Sequence, residues 1–435
     1  MNFLRNTFCK TNLLESLRAS AIWALSALTL CATSQHFPHI VSSDSFFTDL
    51  IYKWRAELRP YDSTYSDIVL VEFDDNLLSQ LPYRSPIDRC VISQAINEIE
   101  QHKPKVIGVD LIIDEPTEPP KDQALLNTAR LLGDRLVLAS YTSAIRPDYD
   151  PAAYLRDNGI PLQQIASATL IKDHDSTVRT ASDSDTGLYP SFARVLADRF
   201  QGKTLSKKYD SAPYVIDWTN HPSEGTHPIV RIPIQHFLNN FNYPDLDCPP
   251  LPFEIPPSSS LMLDHIQKLI FDKVVIIGAN LYNDDRHLSP FDLSKNQRAT
   301  LTGAQIHANI TQQLIDGRII TQPGFFITFL YVMFAFFLCQ TINRHLKNQY
   351  NRYGGVISET PHSPWTSLLD RIFGKKRSQL NVNPFPVLPG LLISCVIILV
   401  EFIGITFLAY TIPAGLMLMA VGIVFGVEFI NLVRN

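Results

Sequence analysis

Carboxylates gather at the ends of apolar runs in this 435-residue chain. Asp74 and Asp75 close IVLVEFDD, Asp110 and Asp114 stand in and just after KVIGVDLII, and Asp284 and Asp285 follow VVIIGAN. Oxygen donors grouped this way suit a hard cation such as Mg²⁺ or Ca²⁺, or a cationic ligand. In open α/β sheets, ligands bind beyond the carboxyl ends of the strands. The plainer reading is that Asp-Asp and Asn-Asp-Asp end strands and cap helices, because Asp and Asn suit turns. Asp110 is the exception. It interrupts an apolar strand and needs a partner if buried, and Arg89 is the expected partner. The candidate ligand-binding set is therefore Asp74, Asp75, Arg89, Asp110, Asp114 and Asp285, with no metal and no cofactor assigned.

Catalytic signatures are absent from the sequence. There is no Gly-x-Ser-x-Gly elbow, no His-Glu-x-x-His pair and no Gly-x-x-x-x-Gly-Lys phosphate loop. His307 shares a helical pattern with Ala304, Ile306, Ile310 and Leu314, and reads as a packing or capping residue. No catalytic residue is assigned, so an extracytoplasmic hydrolase is only a trailing alternative. The net charge of −5 and the lack of a basic stripe argue against nucleic acid.

The elements that would carry these residues are legible as alternating patterns. DIVLVEFDD, KVIGVDLII, LVLAS and KVVIIGA are short apolar runs, the mark of strands buried on both faces. Between them lie helical patterns: IDRCVISQAINEIEQ, Gln123–Leu132 and a stretch near Ser191–Arg199. An α/β domain with a mainly parallel sheet covered by helices is expected. YVIDW reads as a further strand and CPPLPFEIPPSSS as an extended surface loop. GAQIHANITQQLIDGR reads as a helix with a polar face, and it runs through Pro323-Gly324 straight into an uncharged apolar segment.

A bilayer takes about 20 apolar residues, and four stretches qualify. We expect a cytoplasmic N-terminus at 1–12, transmembrane helix 1 at 13–35, an outer domain at 44–320 and helix 2 at 323–341. A basic cytoplasmic loop at 342–384, helix 3 at 385–410 and helix 4 at 412–433 complete the plan. The charges set the orientation. The 342–384 loop is rich in Lys and Arg, whereas Asp44–Ile320 carries 26 Lys plus Arg against 37 Asp plus Glu, a net of −11. By the positive-inside rule both termini face the cytoplasm and the large domain faces outward. The first span is read as an uncleaved anchor, with a cleaved signal peptide as the alternative. Cys90 and Cys248 fall in the outer domain; Cys90, beside Val91 and Ile92 on a helix, reads as a buried thiol, with a disulfide as the alternative.

Within the spans, Glu401 must face protein rather than lipid, and Gly422 with Gly426 permits close helix approach. These three are assigned to helix packing in the membrane, with homodimerisation as an open consequence. In the cytoplasmic loop, Trp365, Leu369 and Phe373 share one face of an amphipathic helix at 364–377 that ends in Lys375, Lys376 and Arg377. That helix suits an anionic lipid surface, or alternatively a cytoplasmic partner.

KVIGVDLIIDEP, FDKVVIIGAN and GAQIHANITQQLIDGR, in that order and ahead of clustered spans, resemble the second type of CHASE domain. This is an extracytoplasmic sensor module of bacterial receptors, named for cyclases and histidine kinases. The resemblance covers about Asp44–Arg318 and the flanking spans, and it implies the bacterial inner membrane with a periplasmic domain. Arg89 falls where such domains carry an arginine after an aromatic–proline pair; this chain has YRSPIDR there instead. Members of the family usually continue into a cyclase or kinase, whereas this sequence is expected to have no output domain after Asn435. The expected function is a sensor or receptor-like subunit in signal transduction, acting through a separate membrane or cytoplasmic protein. The alternative is a non-signalling scaffold in an envelope assembly, held together by protein–protein interaction.

Overall fold

The computed structural model describes residues 66–320 except 142–148, 174, 186–188, 206–208, 219–228, 239–247, 249–259, 283–284 and 293–299. It also describes scattered positions at 49–53 and 330–341. Tyr52–Thr321 forms one unit by its internal contacts.

Six strands make one parallel sheet. They are β1 (Ile68–Asp74), β2 (Val106–Asp110), β3 (Leu136–Ser140), β4 (Ile165–Ser167), β5 (Val230–Pro233) and β6 (Val274–Asn280), in the order β4-β3-β2-β6-β1-β5. Every neighbouring pair is parallel. Parallel strands need crossovers, and helices supply them: α1 (Asp75–Gln80), α2 (Arg89–Gln101), α3 (Pro119–Leu132), α4 (Phe192–Phe200), α5 (Ser260–Ile270) and α6 (Gly303–Ile315).

Strand parity sorts the core into two layers. Val69, Val71, Ile107, Val109, Leu136, Leu138, Val275 and Ile277 point to one face, where α2, α3 and α5 pack. Ile68, Leu70, Val106, Val137, Val274 and Ile276 point to the other, under Phe192, Val195 and Leu196 of α4 and Ala304 and Ala308 of α6. The expected α/β sheet covered on both faces is what the chain forms. β4 and β5 were not expected, because one is three residues long and the other carries Arg231 and an edge proline, Pro233.

On the α6 face the helix approaches the sheet closely. A Cβ on Gly278 would lie 2.5 Å from the Cβ of Ala304, so only glycine admits the helix there. Thr302 and Gln305 close a capping box at the start of α6. The polar side of α6 is not solvated, contrary to expectation. Gln312 Oε1 accepts from the Asp67 N–H at 2.9 Å, and Gln313 bonds the Asp217 N–H and the Val215 carbonyl. These amides bind backbone that the sheet leaves unpaired.

Two expectations are corrected here. Cys90 is not a free thiol: it is joined to Cys248, 158 positions along the chain. Arg89 does not pair with Asp110. It sits on α2, on one side of the sheet, whereas Asp110 shares the parity of Val106 and points to the α4/α6 side. Arg89 instead meets Asp122 of α3 at 2.6 Å, donates to the Glu115 carbonyl and lies over the Tyr154 ring.

Among the described residues, no helix is long and apolar enough to cross a membrane. The segments 13–35, 385–410 and 412–433 lie outside those residues, as does nearly all of 323–341. So do Glu401, Gly422, Gly426, Trp365, Leu369, Phe373, Lys375, Lys376 and Arg377.

Candidate functional site

A cavity of about 340 Å³ opens at the carboxyl ends of β2, β3 and β4. Asp110 ends β2, Tyr141 follows β3, and Ala168, Thr169 and Lys172 follow β4. Asp285 and His287 come from the connection after β6, and Gly303 and His307 from the first turns of α6. The topology thus brings residues nearly 200 positions apart to one rim.

Asp285 organises this rim. Its Oδ2 accepts the Gly303 N–H at 2.9 Å and its Oδ1 lies 2.9 Å from His287 Nε2. It therefore occupies the positive end of the helix dipole. Its backbone φ is +51°, a left-handed conformation that Asp tolerates better than most residues. Burial raises its carboxyl, but the His287 and Gly303 hydrogen bonds outweigh it and hold the group below the ordinary carboxylate range.

Asp110 has no hydrogen bond or ion pair among the described residues, although it is surrounded by protein and touches solvent only in part. Burial, then the nearby Asp285 charge, pushes its carboxyl up to about 8. His307 is 3% exposed. Its Nε2 lies 3.1 Å from the Ala168 carbonyl, its ring meets Phe192 edge-on, and Nδ1 has no partner. A carbonyl only accepts, so Nε2 carries the proton and Nδ1 is a bare acceptor. Burial pushes this imidazole down to about 4, which keeps it neutral.

These groups titrate in opposite senses. Between 3.8 and about 8 the folded chain holds a proton on Asp110 that the unfolded chain has lost, so stability falls as pH rises through that window. His307 acts the other way between 6.5 and about 4: the unfolded chain binds the extra proton, and stability falls as pH drops. Asp110→Asn is therefore expected to flatten the alkaline side of a melting-temperature profile and to melt above wild type at pH 8.5. Thermal melts across pH 5–9 check this; an unchanged alkaline slope contradicts it.

The other sequence candidates lie elsewhere. Asp74 caps α1 through the Leu77 N–H and accepts from Gln235. Asp75 pairs with Arg84 and accepts the Tyr282 N–H, and Asp114 accepts the Tyr149 hydroxyl at 2.9 Å. Of the six candidates, Asp110 and Asp285 share the cavity. Sequence reasoning did not assign Lys172, His287 or His307 to it. It also passed over Glu72 of β1, whose carboxylate takes Arg231 and Asn280 on the same sheet face. No group of three or more His, Cys, Asp or Glu among the described residues has the geometry to hold a metal ion.

A doubly covered parallel sheet with a polar cavity at its strand ends is the arrangement in which open α/β domains take up ligands. The CHASE2 domain family model matches residues 23–341, most of the chain, and the protein belongs to that family. CHASE2 is a family of extracytoplasmic sensor domains of membrane receptors, not a catalytic one. No curated protein and no solved structure matches the chain.

Proposed function

We propose that the domain is a periplasmic sensor that takes a small ligand into the cavity beside Asp110 and passes its occupancy through α6 to the membrane segment. The observation that carries this reading is the position of α6. Its first turn forms the cavity wall at Gly303 and His307. Its far end, about 20 Å away at 1.5 Å per residue, is pinned by Gln312, Gln313 and the Arg318–Asp217 pair, and Ile320 bridges to Val215. A displacement at one end is therefore delivered to the other with little slack.

The rest of the reading follows the sequence. Four spans fix the chain in the inner membrane with the 44–320 domain outside, and the signal goes to a separate membrane or cytoplasmic partner. The 364–377 helix rests on lipid or docks that partner. The test is a thermal-shift screen of the full chain in detergent against a broad metabolite library, with Thr169→Trp as the control. Thr169 is exposed at the cavity, so the indole fills the opening without entering the core. Compounds that stabilise wild type but not Thr169→Trp support the reading; a library in which no shift depends on that residue overturns it.

A further inference from the structure

We infer that the cavity recognises a primary ammonium group, held by the Asp110 carboxylate. This rests on the reading of the cavity as a ligand site and gives its chemistry. Asp110 faces the cavity with no donor from the described chain. His307, almost wholly buried on the same wall, stays neutral and brings no positive charge that would compete for Asp110. His287 turns its Nε2 to Asp285 rather than to Asp110.

Asp110 thus presents a carboxylate that no donor of the described chain meets, although Tyr141, Thr169 and Lys172 line the same cavity. Each unmet acceptor carries a desolvation cost that a donor-bearing ligand removes. A primary ammonium brings three N–H donors and a compact charge, the complement of an unpaired carboxylate. The charged or titratable groups around Asp110 are Asp285 and His287 after β6, His307 on α6, Tyr141 after β3 and Lys172 after β4. Lys172 stands exposed, where it disfavours a second cation and leaves a single ammonium at the inner end.

Binding a cation requires Asp110 ionised, so below about 8 each ligand that enters displaces a proton. Affinity should then rise close to tenfold per pH unit from pH 6 to 8 and level off above. The experiment uses the full chain in detergent at constant ionic strength, with titration calorimetry and thermal shift. The probes are ethylammonium, butylammonium and phenethylammonium, each with its N-trimethylated counterpart, and acetate as the anion control.

The expected result is saturable stabilisation by the primary amines and none by the trimethylated set, with the predicted pH slope. Both the stabilisation and the slope are lost in Asp110→Asn and in Thr169→Trp, two variants that retain the wild-type fold by circular dichroism. Equal effects from the trimethylated probes, no effect from any amine, or binding that survives in Asp110→Asn would overturn the inference. If acetate or a neutral metabolite stabilises wild type but not Thr169→Trp while the amines fail, the ammonium assignment falls and the cavity remains a sensor site. If nothing depends on Thr169, both fall.

Discussion

Serine at both Cys90 and Cys248 is expected to lower the unfolding free energy of the outer domain by about 5 kcal/mol, the chain-entropy value for a loop of this span. The bridge closes 158 positions and ties α2, on one face of the sheet, to the segment between β5 and α5. Without it, the unfolded chain regains freedom that no local contact offsets. A loss of this size approaches the whole stability of an ordinary domain. Urea unfolding of the oxidised chain and of the double variant, at matched detergent, measures it. Equal midpoints would show that the bridge does not constrain the fold. Such a bridge also fits the compartment, since disulfides persist outside the cytoplasm.

Arg89→Ala is expected to cost about 3–5 kcal/mol, because it leaves Asp122 as an uncompensated buried charge. The two side chains are 5% and 7% exposed and meet at 2.6 Å. Asp122 also accepts from the Thr117 N–H and hydroxyl, so the pair fastens the loop after β2 to the start of α3. Removing both charges, as Arg89→Met with Asp122→Leu, should recover much of the loss, since an apolar pair has no desolvation to repay. Urea midpoints of the three variants decide it. A mild Arg89→Ala would mean that the Arg89–Asp122 pair does not hold the start of α3 in place.

Arg89 also shows where sequence reasoning stops. That Asp110 needed explaining was legible, because a carboxylate inside KVIGVDLII breaks an apolar run. Which side chain answers it was not. Parity puts Asp110 under α6, and Arg89 belongs to a helix on the opposite face. No local pattern states which face a crossover helix will cover. The four long strands announced themselves as short, mainly apolar runs, whereas Ile165–Ser167 is too short to show a period.

The cavity was harder still. Lys172 comes from the connection after β4, His287 from the connection after β6 and His307 from α6, and they meet only once the sheet has its order. Gln312 and Gln313 read as a wet face, yet they are buried because their amides bond backbone at Asp67, Val215 and Asp217. A buried amide with partners cannot be told by composition from a solvated one.

The claim on which the functional account rests is that the α/β unit lies outside the inner membrane and the basic loop inside. Single cysteines at Gln123, exposed on α3, and at Lys376 test it. They are placed in a chain whose Cys9, Cys31, Cys339 and Cys395 are serine, and treated with a membrane-impermeant maleimide in spheroplasts. The account predicts that position 123 is labelled in intact spheroplasts and that position 376 is labelled only after lysis. Labelling of 376 before lysis, with 123 protected until the membrane is broken, would contradict it.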